Sequence, residues 1–125
     1  MTPAKLRKVC LALAGAEETF PFDPANSVFK VGGKIFAISP LGRRPLRVSL
    51  KCEPALAEGL RAAHPEIVPG YHLNKRHWNT VHLDGELPDS MVEQMIEDSY
   101  DLVVSKLPRA TQRALKWQGL AAAGD

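Results

Sequence analysis

The sequence predicts an α+β fold: an antiparallel sheet of about four strands with helices packed on one face, in the order α-β-β-β-α-β-α. Two patterns predict this class. Three strand-like stretches follow one another between residues 27 and 51, and a glycine pair suited to a tight hairpin turn joins the first two. Apolar residues at helical spacing lie before and after the strands, and such helices must bury their apolar stripes against the sheet.

The N-terminal stretch predicts a helix over about residues 3–14. Thr2 is suited to cap this helix, a proline occupies its first position, and apolar residues recur at helical spacing until a glycine stops it. Residues 17–26 predict an ordered loop, because two prolines oppose regular strand pairing and Phe20 and Phe22 can pin the loop to the core.

Residues 27–39 predict a β-hairpin. VFKV and KIFAIS flank a Gly-Gly pair, and glycine reaches the positive φ of a type I′ turn without steric cost. If the turn closes directly on its flanking residues, Phe29 lies opposite Phe36 on the neighbouring strand. We therefore expect the two rings to pair across the hairpin and to face the core.

The remaining elements follow from alternation and helical spacing. LRVSLK at 46–51 alternates apolar and polar residues, as in a half-buried strand, and 77–83 repeats that period. Between them, 53–63 predicts a second helix that begins near a proline. A third helix is predicted over about 89–106, and a short basic helix over 109–120.

Composition predicts one domain. Hydrophobic residues make up 45% of the chain and charged residues 24%, which is ordinary for a globular protein that buries one core. We expect this domain to span 1–108, with 109–125 as a basic C-terminal extension. No signal peptide, paired-cysteine motif or apolar run of roughly 20 residues is visible. These features predict a cytoplasmic protein without a membrane-spanning segment and without a cofactor.

Charges are segregated along the chain. Six basic residues and no acid lie between positions 24 and 52, whereas seven acids and no base lie between 84 and 101. The net charge of +2 and the pI near 8.6 fall short of the pI above about 9 that marks strongly basic nucleic-acid domains. The distribution of charge, rather than its total, favours one face that attracts phosphate.

Several stretches of the chain carry a family resemblance. In order they are EETFPFD (17–23), VFKVGGKIFA (28–37), LKCEP (50–54), GYHLNKRHWNTVHLDG (70–85) and SYDLVVSKLP (99–108). As a set they resemble the MmcQ/YjbR family. The resemblance implies a fold of the CyaY (frataxin) type and a "double wing" description under which members are DNA-binding proteins, and it brings no catalytic residues. Asp23 departs from the pattern, since many members carry glycine there.

The most unusual stretch is YHLNKRHWN at 71–79, which combines cations, aromatics and histidines without an acid. If neighbouring strands present their polar faces together, cations and a tryptophan platform share one surface, which suits phosphate neutralisation and base stacking. The predicted nucleic-acid-binding residues are Asn74, Lys75, Arg76, His77 and Trp78 in this stretch, Arg47 and Lys51 on the third strand, and Arg43 and Arg44 in the loop before it. The two wings are then this loop and the hairpin tip.

Structural interpretations of the same residues stay open. Tryptophan is highly buried on average, so Trp78 is also explained as a packing anchor. Asn74 is explained as a turn cap, the Arg43 and Arg44 loop as a solvated loop, and Lys30 and Lys34 as charges that keep a hairpin soluble.

Metal and catalytic sites are not predicted. His72 and His77 are five positions apart, which fits no helical two-histidine motif, and the lysine and arginine between them oppose a cation. Cys52 precedes Glu53, whose charge disfavours a thiolate, so a structural cysteine is expected. Two functional hypotheses follow: a DNA-binding protein, and a module that binds a protein or a small ligand through a groove or through the acidic last helix.

Overall fold

The structure is a computed structural model that describes residues 1–70 and 73–119. Along these residues the chain forms, in order, α1 (Pro3–Leu11), β1 (Glu17–Thr19), β2 (Ser27–Val31), β3 (Lys34–Ser39), β4 (Arg47–Lys51), α2 (Pro54–Ala63), β5 (Ile67–Pro69), β6 (Trp78–His82), α3 (Asp89–Val104) and α4 (Arg109–Ala114). The predicted helices and strands are all present, including the short C-terminal helix, and two further strands were not predicted.

The strands form one antiparallel sheet in the order β1-β2-β3-β4-β6-β5. Helix α3 packs against β2, β3 and β4, helix α2 packs against β5 and β6, and α1 contacts α3. The predicted α+β class, with an antiparallel sheet and packed helices, is confirmed. The prediction of about four strands is wrong, because the described part of the chain forms six.

Both additional strands are three-residue edge strands. β1 pairs with β2, and β5 pairs with β6. The prolines that favoured a loop over 17–26 lie beyond Thr19, where β1 has already ended, and Pro69 ends β5 on an outer edge where a missing N–H is tolerated. The element order is therefore α-β-β-β-β-α-β-β-α-α rather than the predicted α-β-β-β-α-β-α.

Strand alternation gives the sheet two different faces. Val48, Leu50 and Val81 point to one side and are buried with residues of α3, including Ile96 and Tyr100. The opposite side of β4 and β6, here called the outer face, carries three cross-strand pairs. These pairs are Arg47 with His82, Ser49 with Thr80, and Lys51 with Trp78.

The β2–β3 hairpin closes at its turn as predicted. Beyond the turn, the pairing register of the two strands shifts by one residue. Val31 pairs with Lys34, and a bulge between Phe29 and Lys30 places Phe29 opposite Ala37. The predicted pairing of Phe29 directly opposite Phe36 is therefore wrong. Both rings are nevertheless fully buried, as predicted, with their centroids 6.5 Å apart.

Residues 109–119 lie against the domain. The Gln112 side-chain amide donates a 2.9 Å hydrogen bond to the Val104 carbonyl, and the Trp117 indole N–H donates one of 2.9 Å to the Asp101 carboxylate. The predicted last helix ends at Ala114 rather than near residue 120. Among the described helices, none has the length and apolar character needed to cross a bilayer.

Candidate nucleic-acid interface

A basic recess surrounds Trp78 at one end of the sheet. Its volume is about 480 Å³. We call it the lysine recess, and it is lined by Lys30, Gly33, Lys34, Ile35, Lys51, Trp78, Val103 and Lys106. All charged residues in this lining are lysines, and three separate parts of the fold supply them.

Ser99 brings the walls of the lysine recess together. Its hydroxyl accepts a 2.8 Å hydrogen bond from the Lys51 backbone N–H and donates one of 2.6 Å to the Phe36 carbonyl. The pairing of β3 with β4 reaches only as far as Ala37 and Leu50. Helix α3 thus bridges the two strands where they separate, and its C-terminal end enters the recess.

A second recess, of about 380 Å³, adjoins the first and shares Lys51, Trp78 and Lys106 with it. Its other lining residues are Cys52, Glu53, Pro54, Asn74, His77 and Leu102. The Glu53 carboxylate caps α2 by accepting hydrogen bonds of 3.2 Å from two backbone N–H groups of its first turn. Burial, with smaller contributions from nearby carboxylates, raises the pKa of Cys52 to about 11, so this thiol is protonated at neutral pH.

The described part of the YHLNKRHWN stretch is a tight turn that leads into β6. The Asn74 carbonyl accepts from the backbone N–H groups of His77 and Trp78, and its side chain accepts a 2.9 Å hydrogen bond from the Arg76 backbone N–H. The Lys75 ammonium donates to the Gly70 carbonyl at 3.1 Å. Asn74 and Lys75 therefore have clear structural roles, as the turn-cap interpretation of Asn74 proposes.

Arg61 of α2 supports this turn, and the sequence did not point to it. Its guanidinium donates to the Lys75 carbonyl at 3.1 Å and to the Asn79 side-chain oxygen at 2.8 Å. Asn79 is buried in β6, and its amide donates a 3.4 Å hydrogen bond to the Ala57 carbonyl of α2. A single arginine at the end of an amphipathic helix gives no sequence signal of such a role.

The arginines of the predicted site lie elsewhere. Arg47 and Lys51 are at opposite ends of β4, about 13 Å apart at the usual rise of an extended strand. Arg43 and Arg47 line a third recess, of about 500 Å³, together with Phe22, Asp23, Asn26, Ile38, Pro40, Ser49 and Leu73. Hydrogen bonds from the Asn26 side chain and from backbone N–H groups, with a smaller contribution from the charge of Arg43, lower the pKa of Asp23.

The structure divides the predicted residues into groups. Trp78, Lys51, His77 and Asn74 share the two adjoining recesses, whereas Arg43 and Arg47 share the third. Three other predicted residues, Arg44, Lys75 and Arg76, are exposed on the surface. The sequence pattern placed Lys30 and Lys34 at a hairpin tip rather than beside Trp78, and it gave no signal for Lys106.

Metal ligands are not grouped in the residues described. Within 1–70 and 73–119, no three histidine, cysteine or acidic side chains lie close enough together to hold a metal ion. His72, one of the two histidines considered for such a site, lies outside these residues.

Comparisons with known proteins give consistent matches over most of the chain. A model of the YjbR family matches residues 11–102. The chain is 41% identical over 116 residues to the uncharacterised Escherichia coli K12 protein YjbR, covering 92% of this chain and 98% of that protein. It is 36% identical over 110 residues to the uncharacterised Escherichia coli O157:H7 protein YbdF, covering 88% and 90%.

Solved structures show the same fold. The crystal structure of the Deinococcus radiodurans protein DR2400 is similar to this chain with a TM-score of 0.88 and 42% identity, covering 99% of this chain and 94% of that one. A crystal structure of a Pseudomonas syringae protein is similar with a TM-score of 0.70 and 28% identity, covering 82% and 98%.

Proposed function

We propose that this chain, which belongs to the YjbR family, is a small cytoplasmic DNA-binding protein that holds phosphates on the basic surface around Trp78. One observation carries the proposal. Lys51 and Trp78 are direct cross-strand neighbours, and the recess they share is lined by four lysines and no described carboxylate. Such a combination suits neutralisation of the nucleic-acid backbone together with stacking on an aromatic ring.

The exposed cations extend this surface. His77 and Asn74 line the adjoining recess, and Arg76 is exposed on the same turn. Arg47 lies about 13 Å from Lys51 along β4, and it supplies a second group of positive charges with Arg43 and Arg44 of the preceding loop. In this proposal the hairpin tip and the Arg43 and Arg44 loop act as the two wings on either side of the bound strand.

The cytoplasmic location is part of the proposal. Cys10 and Cys52 are free thiols, which agrees with a reducing compartment. Burial raises the pKa of Cys10 to about 12, so the thiol is protonated and packs as a small apolar side chain.

Binding to a labelled DNA oligonucleotide should depend strongly on salt. If about four phosphates are neutralised, a rise from about 50 to about 200 mM salt lowers the affinity roughly 100-fold through counterion release. Fluorescence anisotropy measures this change directly. Replacing Lys51 by glutamine should remove one contact and reduce the slope of log affinity against log salt by about 1.

Lys8→Gln is the matched control. Lys8 is exposed on α1, and the groove it lines contains Glu93 and Glu97 rather than Trp78. Its replacement removes the same charge from another surface, so affinity and salt slope should stay as in the unmodified protein. An affinity that does not respond to salt, or an equal loss in both lysine variants, would contradict the proposal.

A second candidate function is a module that binds a protein or a small ligand. Two exposed aromatic side chains favour it. Phe20 and Phe22 are 53% and 65% exposed, so the expectation that they pin their loop to the core is wrong. Phe22 lines the third recess. In that case the purified chain should show the absorbance ratio of pure protein before and after a high-salt wash. Nucleic acid that copurifies at low salt and leaves at high salt contradicts this candidate and supports the first.

A further inference from the structure

We infer that the lysine recess takes one unpaired nucleotide of a single strand, with the base stacked on Trp78 and the adjoining phosphates held by the surrounding lysines. The inference rests on the proposed function and narrows it. Duplex and single strand both present phosphates, and the duplex has the higher charge density, so tighter binding of a single strand requires a base face that is available for stacking.

The shape of the recess favours an unpaired base. Trp78 is half-buried, and the recess of about 480 Å³ around it lies within the roughly 300–1,000 Å³ of sites that enclose small ligands. In a duplex, each base face is covered by its stacked neighbours, and a base reaches such a recess only after it is flipped out. A single strand offers that face without the cost of unpairing.

The backbone of Trp78 is held in position before any ligand arrives. The Trp78 backbone N–H donates to the Asn74 carbonyl at 2.9 Å, and the Trp78 carbonyl accepts from the Gly70 N–H at 2.8 Å. Both hydrogen bonds tie β6 to the segment that precedes it. A base that stacks on Trp78 therefore meets a backbone that is already ordered, so less conformational entropy is lost on binding.

The lysines of the recess come from three separate parts of the fold. Lys30 and Lys34 belong to the hairpin, Lys51 is the cross-strand neighbour of Trp78, and Lys106 follows the end of α3. No described carboxylate lines the recess, so their mutual repulsion is relieved by a bound anion. A nucleotide within a strand has a phosphate on each side of its base, and lysines from several elements of one recess suit such a pair of phosphates.

The adjoining recess provides a surface along which the bound nucleic-acid strand continues. It shares Trp78, Lys51 and Lys106 with the lysine recess, and it adds the side chains of Asn74 and His77 as hydrogen-bonding groups. A strand that leaves Trp78 on this side remains in contact with cations and polar groups, and the Glu53 carboxylate, which also lines this recess, is engaged in capping α2. We expect a binding site a few nucleotides long, with the stacked base at its centre.

Tryptophan fluorescence tests the inference on the native side chain. The chain has two tryptophans, so Trp117→Phe leaves Trp78 as the reporter. Oligothymidylate of about 12 nucleotides, within the length range of single-strand sites, should quench this fluorescence. The same oligonucleotide should bind at least about 10-fold more tightly than a duplex of equal length. Trp78→Leu should weaken single-strand binding by about 10- to 100-fold and leave duplex binding unchanged.

Matched variants separate stacking from folding. Trp78→Phe keeps an aromatic ring and should retain most of the single-strand affinity, and Trp117→Phe should bind like the unmodified protein. Oligouridylate is the RNA probe, and quenching by either homopolymer supports the inference. Equal duplex affinity without quenching of Trp78 overturns the inference and leaves the proposed function standing. Absence of binding to every probe overturns both.

Discussion

Replacing Ser99 by alanine should lower the free energy of unfolding by about 3 kcal/mol, because two backbone groups lose their partner at once. The Ser99 hydroxyl is fully buried and connects the Lys51 N–H to the Phe36 carbonyl. Each polar group orphaned away from water costs about 1–3 kcal/mol, and alanine brings no replacement. Urea denaturation at neutral pH measures the loss as a lower midpoint with an unchanged slope.

Ser105→Ala is the control on the same helical segment. The Ser105 hydroxyl donates only to the Leu102 carbonyl, one turn earlier and less deeply buried. Its removal should cost about 1 kcal/mol or less. Equal losses in the two variants would contradict the bridging role of Ser99. A Ser99→Ala protein with the stability of the unmodified chain would show that β3 and β4 hold together at this end without α3.

Local patterns predicted the elements well because they depend on near neighbours. The alternation of LRVSLK is the alternation of β4, and Gly32 and Gly33 adopt the positive φ angles that the predicted turn requires. The pairing register of the two strands is harder to predict from local patterns. The bulge beside Phe29 shifts the pairing by one residue, and the buried Phe36 ring meets Tyr100 at 5.5 Å. That contact with α3 is not visible in the hairpin sequence.

The two edge strands β1 and β5 were not predicted, for a related reason. Glu17–Thr19 and Ile67–Pro69 are too short to show a period, and they are extended because β2 and β6 offer them free backbone groups. Their residue types permit pairing without requiring it. Such strands follow from the finished sheet and not from their own sequence.

The candidate site was predictable where it depends on strand alternation. The polar sides of β4 and β6 were expected to lie together, and Lys51 beside Trp78 confirms this. The charges from distant segments were not predictable, since Lys106 reaches the recess only because α3 crosses the sheet where β3 and β4 separate. Arg47 and Lys51 were predicted to act on one surface, but they lie at opposite ends of β4.

Replacing Gly70 by alanine should destabilise the fold by about 1–3 kcal/mol and displace Trp78. A Cβ atom at position 70 would lie 2.7 Å from the Trp78 Cβ, 3.0 Å from the Trp78 carbonyl oxygen and 3.2 Å from the Leu73 Cβ. None of these atoms is the far end of a flexible side chain, so the backbone itself must move. The 2.8 Å hydrogen bond from the Gly70 N–H to Trp78 lies in the same place.

Gly59→Ala is the control variant for Gly70→Ala. Gly59 is exposed in α2 with open space where a Cβ would go, so alanine should raise stability by about 0.5–1 kcal/mol through its better helix propensity. The two variants therefore carry the same chemical change with opposite expected signs in urea denaturation. Gly70→Ala should also reduce quenching of Trp78 by oligothymidylate at protein concentrations where it remains folded, whereas Gly59→Ala should not. Undiminished stability and quenching in Gly70→Ala would show that the Trp78 ring does not depend on the close approach of residue 70.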